Sequence, residues 1–450
     1  GYSLTGTFTT PHDAGQYHGL RFGVSGDARG DNQPYLAMRN LPQRPLDFVV
    51  NLGDTVYADV ASPALPGITQ AQTLEEFHTK NAEIYSAKQG INAMADARAS
   101  TVFYSVLDDH EVTNDFVGGA LASSDARFAM ENPDTLINAT ELYRNGIQAF
   151  MAFNPLRSTH YAETGDPLTD ARPAFYRYQR FGQDAALFIT DARSFRSPAL
   201  LSPKPGDAED LMRFRNEAFQ DDRSLLGRRQ FDQLLHDLDD AEVQGITWKF
   251  VCIPEPIQNL SFIAAADRYE GYAHERSALL KHIRHHGLHN VVFISADIHG
   301  TVINNLSYQE SATGPQIATD SFEVTTGPWA YDAPLGPTTL QLLKDAGYLS
   351  STQYALYQSL PQTQKEGLFR RLLDLQLSNE GYDTVGLEHS SIDARLERGS
   401  YTATHSYGWS EFDIDAKSQR LRVTTYGIDP LQSKPRIRIM SQFVVKPREF

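Results

Sequence analysis

The sequence predicts an α/β fold, and two observations carry that reading. Short runs of β-branched and aromatic residues recur at 20–24, 48–52, 101–107, 185–190, 247–253 and 290–295. Each is closed by a polar cluster, the pattern of buried strands bounded by turn formers. Between them lie stretches of helical character at 73–88, 139–153, 228–240 and 273–286. Alternating strand and helix describes a sheet with helices packed on it.

The elements follow in order. The run 20–24 ends in Ser25-Gly26-Asp27, and 48–52 ends in Gly53-Asp54-Thr55-Val56-Tyr57. The run 101–107 ends in Asp108-Asp109-His110-Glu111, and 290–295 ends in Ala296-Asp297-Ile298-His299-Gly300. In the stretch 228–240, Phe231, Leu234, Leu235 and Leu238 recur at helical spacing, so one face is apolar. Beyond Thr301 the pattern turns strand-like at 321–325, 420–426 and 437–445, interrupted by a polar helical insertion at 337–378. An opening strand at Tyr2–Thr10 has no evident partner, so residues 1–19 read as the remnant of a preceding β domain. Residues 20–450 read as one domain with insertions near 118–136, 197–222 and 335–398. The first residue is Gly1 rather than Met, which reads as a processed or recombinant fragment whose targeting signal is out of view.

Composition narrows the function. The 450 residues carry 56 acidic and 40 basic side chains, a formal charge of −16. That balance disfavours a nucleic-acid partner, which requires a basic face, and is compatible with binding cations. With 41% hydrophobic and 11% aromatic residues the chain can bury a large core, which disfavours wholesale disorder. Cys252, the sole cysteine, excludes an internal disulfide and a thiolate metal cluster, and it reads as a small core residue. No run approaches the ~18 apolar residues that a membrane span needs.

Ligands in open α/β sheets bind beyond the carboxyl ends of strands. Four such ends deliver Asp27, Asp54 with Tyr57, Asp109 with His110, and Asp297 with His299. One aspartate at a strand end is ordinarily a turn or a cap. Four together repel one another unless a cation neutralises them, so the set points to a metal site. His110, next to Asp109, is the candidate to protonate a leaving group or contact phosphate. Arg193 and Arg196 follow Asp191 at another strand end. They read equally well as phosphate ligands and as structural buttresses. Arg29 could reach substrate, but reads first as a solvated surface arginine. Asp108 and Glu111 read as groups that orient His110 or the ligand side chains. The basic, histidine-rich stretch 281–289 reads as a solvated helix end.

Gly26-Asp27, Gly53-Asp54-x-x-Tyr57, Asp109-His110-Glu111 and Asp297-x-His299 together resemble the calcineurin-like metallophosphoesterases. More specifically they resemble the alkaline phosphatase D (PhoD-like) family, related to the purple acid phosphatases. Phe175-Tyr176-Arg177, Asp191-Ala192-Arg193-Ser194-Phe195-Arg196, Leu226-Gly227-Arg228-Arg229-Gln230, Trp248-Lys249 and Gly271-Tyr272-Ala273-His274-Glu275-Arg276 extend the likeness, which is clear from about Leu20 to Thr326. The resemblance implies a four-layer α/β/β/α sandwich with two adjacent metals at the carboxyl edge. It implies that Asp27, Asp54, Tyr57 and His299 hold one metal, and that Asp54 bridges to a second held by Asp109 and Asp297. It also implies hydrolysis of phosphoric esters, with His110, Asp54 and Arg193 catalytic and with His110, Arg193 and Arg196 on the substrate.

Three departures qualify the carry-over. An aspartate, Asp27, stands where many PhoD-like proteins have a nearby cysteine. Asp297 takes the place of a histidine common in the superfamily, and 248–259 supplies no histidine. The second site is therefore oxygen-rich, with Glu255 and Asn259 as further candidate ligands. It suits Ca²⁺, Mn²⁺ or Mg²⁺ better than Zn²⁺, while the Tyr57/His299 site suits Fe³⁺. Two cations clamp a phosphate ester and lower the pKa of a bridging water. The expected reaction is thus phosphomonoester and/or phosphodiester hydrolysis. A phospholipase D-type diesterase and a non-catalytic calcium-binding module are the alternatives. Export, secreted or periplasmic, is expected from the resemblance and from oxygen-only coordination.

Overall fold

The computed structural model describes residues 5–128, 132–204, 207–260 and 265–448. Among them the strands are β1 (Leu20–Ser25), β2 (Phe48–Asn51), β3 (Val102–Ser105), β4 (Arg177–Phe181), β5 (Ala185–Ile189), β6 (Trp248–Cys252) and β7 (Val291–Ser295). They continue with β8 (Thr301–Tyr308), β9 (Ile317–Thr325), β10 (Ala394–Gly399), β11 (Thr402–Ala403), β12 (Tyr407–Ile414), β13 (Leu421–Ile428) and β14 (Arg438–Val445). Two seven-stranded sheets result, ordered β10-β14-β13-β12-β1-β2-β3 and β11-β8-β9-β7-β6-β5-β4. In the first, β1, β2 and β3 run parallel. In the second, β5, β6, β7 and β9 do so.

The alternation of side chains builds the layers. Phe22, Val24, Phe48 and Val50 of one sheet meet Leu187, Ile189, Phe250, Cys252, Val292 and Ile294 of the other in a single buried cluster. The opposite faces are covered as well. Ala186, Phe188, Val251 and Phe293 pack on Leu234, Leu238, Leu279 and Ile283 of the helices Arg228–Val243 and Ala273–His285. Val49 and Trp409 pack on Met94 and Ala97 of the helix Ala93–Ser100. Parallel strands covered on both faces must be apolar throughout, and β7, Val-Val-Phe-Ile-Ser, is buried at every position. The arrangement is the expected α/β/β/α sandwich. Cys252 is a core residue, as the sequence implies.

Register sets up the site. Ser25 pairs with Asn51 and Asn51 with Ser105, so β1, β2 and β3 end level. The end of the second sheet comes equally close, since a Cβ on Gly26 would lie 3.0 Å from that of Ala296.

The helical insertion is present as Leu335–Asp345, Ser351–Ser359 and Gln362–Asn379. Its Leu340, Tyr357, Phe369, Leu373 and Leu377 extend the inter-sheet core rather than forming a separate unit. The opening strand is corrected. Residues 5–10 are exposed and not strand, tied to the body by the Thr7 amide donating to Ala99 O (3.1 Å). Lone β-propensity without a partner edge does not make a strand. Positions 2–4 of that expected strand, and 129–131 and 205–206 of the expected insertions, lie outside the described residues. Among the described residues no helix is long and apolar enough to cross a membrane.

Candidate functional site

The loops after β1, β2 and β7 fold back sharply, and their chemistry-bearing residues make the bends. Asp27, Asp54, Asp297 and His299 have φ of 60°, 47°, 62° and 58°. Left-handed conformations are uncommon outside glycine, more tolerable for aspartate than for histidine, and they cluster where function over-determines the backbone. Peptide hydrogen bonds hold these bends: Ala28 N donates to Asp54 O (2.8 Å) and Trp329 N to Gly26 O (2.8 Å). Gly53 precedes Asp54 at φ 88°, and a side chain there would begin 2.4 Å from the Asp108 Cβ. Only glycine fits.

Glu111 clamps two of the strand ends. Its buried carboxylate accepts from Thr55 N (2.8 Å), Asp108 N (2.9 Å) and Asp54 N (3.2 Å). It therefore orients the backbone carrying the candidate ligands, rather than His110 itself.

Ligand atoms of Asp27, Asp54 and His299 lie within 4.8 Å of one another. His299 Nε2 is 3.6 Å from Asp27 Oδ1 and 3.3 Å from the Tyr57 hydroxyl, so the four residues expected at the first metal surround one point. Burial, then the charges of Asp297 and Asp108, push the Asp27 carboxyl well above the usual range. Burial, then Asp109 and Asp108, do the same to Asp54. His299 is driven down to about 3 by burial and by His110, which leaves it a neutral imidazole with a lone pair to offer.

A second group joins Asp54, Asp109 and His110 within the same distance. The His110 amide donates to Asp109 Oδ1 (2.9 Å) and to Asp54 Oδ1 (3.2 Å). Asp297 stands at the rim of the cluster, 23% exposed, its Oδ1 3.9 Å from Arg193. Asn259 is half-buried on the loop beyond Glu255.

A PhoD-like phosphatase family model matches residues 22–379. The chain belongs to the PhoD-like phosphatase family. It is 22% identical over 329 residues to alkaline phosphatase D of Bacillus subtilis (strain 168), covering 69% of this chain and 51% of that protein. It thus spans about half the length of the curated relative it matches. The solved structure titled "Structure of PhoD" is similar at a TM-score of 0.65 and 16% identity, over 98% of this chain and 73% of that one. That likeness is one of fold.

This PhoD-like chain buries its two site arginines. Arg193 Nε donates to Asp108 Oδ1 (2.5 Å) and lies 2.9 Å from Glu255, while its terminal nitrogens meet Asp267 at 2.8 and 3.1 Å. Arg196 bonds Asp267 Oδ1 (2.6 Å) and pairs with Glu255. Both guanidinium groups are fully buried. Of the two sequence readings, the geometry favours the buttress. Glu255 is likewise spent on the arginines. Arg193 also comes within 3.7 Å of Asp109. Burial alone would raise Asp109, but Arg193 and His110 outweigh it and hold this carboxyl below its ordinary range. Replacing Arg193 with Met strands Asp108 without its cation and leaves Arg196 alone to face Asp267 and Glu255. The expected loss in urea unfolding is about 3–5 kcal/mol, the usual cost of breaking a buried pair.

Arg29 is not a solvated surface arginine. Its side chain is 13% exposed, paired with Asp31 (2.7 Å) and Asp332 (3.6 Å), and lies 5.5 Å over the Tyr331 ring. Tyr331 in turn stacks on His299, centroids 3.5 Å apart. Sequence reasoning missed Tyr331, which no short motif marks. It also missed Asp267, and Asp59, whose Oδ1 sits 2.6 Å from His110 Nδ1. Asp59 lies two residues beyond Tyr57, just past the end of the motif already noticed, and that proximity was the available signal.

Proposed function

We propose that this chain hydrolyses phosphoric esters, phosphomonoesters and/or phosphodiesters, at a dinuclear metal centre that Asp27, Asp54, Tyr57, Asp109, Asp297 and His299 would hold. The observation that carries the reading is the convergence of the Asp27, Asp54 and Asp109 carboxylates with His299 and His110. Asp27 Oδ2 is buried with no hydrogen-bond partner among the described residues, and such an orphaned oxygen fits a cation. Asp27, Asp54, Tyr57 and His299 supply the donors that suit Fe³⁺. Asp54, Asp109 and Asp297 supply the oxygen-rich set that suits Ca²⁺, or Mn²⁺, Mg²⁺ or Zn²⁺. The cations, when bound, would offset the carboxylate charge, draw in phosphate and acidify water.

The protein's own groups do the rest. Burial alone would lower the His110 pKa, but Asp109, Asp59 and Asp108 outweigh it and raise it to about 9. Those carboxylates favour the proton-bearing imidazole. Asp59 engages Nδ1, so Nε2 is the nitrogen that delivers a proton to the leaving oxygen. The Tyr57 ring, 4.2 Å from that of His110, fixes its plane. Arg193, beneath the site, keeps Asp109 ionised.

Metal analysis of protein purified without added metal, alongside turnover of para-nitrophenyl phosphate and its bis ester, tests the proposal. Two metal equivalents and turnover of either ester support it. Metal-loaded protein inert towards both overturns it in favour of a binding module. Asp59→Asn removes a charge that raises the His110 pKa, so the alkaline limb of the kcat profile is expected to move to lower pH with metal content intact. Tyr57→Phe is expected to bleach any visible absorption of the iron-loaded protein, read by spectrophotometry. An unchanged band would remove Tyr57 from the first coordination set. The oxygen-rich second set suits a calcium-rich exterior, so the location proposed is secreted or periplasmic.

A further inference from the structure

Away from the catalytic edge, on the outer helical layer, two imidazoles and a carboxylate converge. His282 and His286 lie one turn apart at the end of the helix Ala273–His285, a spacing that puts both on one face. Asp239 reaches them from the neighbouring helix Arg228–Val243. Asp239 Oδ1 is 2.8 Å from His282 Nε2 and 3.1 Å from His286 Nδ1, and the imidazole centroids are 3.8 Å apart. These ligand atoms all fall within 4.8 Å of one another. The side chains are 15%, 51% and 37% exposed for His282, His286 and Asp239, so an ion and its waters can reach them.

We propose that Asp239, His282 and His286 form a second, non-catalytic site for a borderline transition-metal cation of the Zn²⁺ class, which ties the two helices together. Imidazole donors select Zn²⁺, Cu²⁺ or Ni²⁺ over Ca²⁺ and Mg²⁺. Bonds of ~2.1 Å in tetrahedral geometry place ligand atoms about 3.4 Å apart. The two nitrogen–oxygen separations seen here need to open by only a few tenths of an ångström. The location favours a cation, because the carbonyl end of the helix Ala273–His285 carries partial negative charge. Lys281, next to His282 in the sequence, is engaged by Glu310 (2.6 Å). Three protein ligands leave the remaining position to water. The histidine-rich stretch 281–289, which the sequence suggested was merely solvated, thereby acquires a role.

The test uses the full untagged chain, stripped by chelator and dialysed against Zn²⁺. Wild-type protein is expected to take up one Zn²⁺ equivalent more than a His282→Gln/His286→Gln variant, and to gain thermal stability that the variant does not. Phosphatase turnover should be the same in both, which separates this site from the catalytic one and shows the variant folded. With Cu²⁺ as probe, electron paramagnetic resonance should reveal coupling to two nitrogens in wild type only. Asp239→Asn, which keeps both imidazoles, should weaken the extra equivalent at least tenfold. Equal Zn²⁺ uptake by wild type and the double variant overturns the site. Unaltered affinity in Asp239→Asn overturns the three-ligand assignment.

Discussion

Asp54→Asn is expected to abolish metal uptake at the catalytic centre and to reduce phosphatase turnover at least a thousandfold, while the chain still folds. Among the described residues Asp54 is the carboxylate common to both groups of converging ligand atoms at the strand ends, so changing it weakens both. Asparagine keeps the shape and tolerates the left-handed backbone at φ 47°. It removes only the charge. The metal-free proteins should differ in the opposite sense. Burial and neighbouring carboxylates raise the Asp54 pKa well above its ordinary 3.8. The stability linked to such a group is complete below 3.8 and is lost as pH rises through the higher folded value. Stripped wild type should therefore lose stability with rising pH, and stripped Asp54→Asn should lose less. Chemical denaturation across pH, with elemental analysis of the unstripped proteins, reads both effects. A variant that retains both metals and full turnover would remove Asp54 from the bridge.

The second large effect concerns His110. His110→Gln should keep both metals and lose a hundred- to ten-thousandfold in kcat, the range for a missing general acid. The loss should be steeper for alkyl phosphates, whose leaving oxygen needs the proton, than for para-nitrophenyl phosphate, whose leaving group departs as a stable anion. A purely structural role would slow both substrates alike. His110 also stands within ligand distance of Asp54 and Asp109. Loss of metal together with rate would instead make it a ligand.

What was legible in the sequence is local. Each acidic motif directly follows an apolar run, and the level ends of β1, β2 and β3 follow from parallel strands in register. What was hidden depends on groups distant in the chain. Asp267 lies 74 residues from Arg193 in sequence yet decides how that guanidinium is used. Tyr331 meets His299 only because the loop after β9 crosses the end of β7, and nothing near either residue marks the stack. Residues 5–10 of the expected strand at Tyr2–Thr10 are not strand for the same reason: pairing is a property of two segments, not of one.

The sequence alone determined which residues stand at the strand ends, and therefore the acidic character of the site. This follows because strand, turn and side-chain alternation are set by neighbours along the chain. Tertiary structure decided the charge state and duty of those residues. It buried Arg193 among Asp108, Asp267 and Glu255 and brought Asp59 onto His110, because contacts between groups far apart in the chain exist only once the chain has folded.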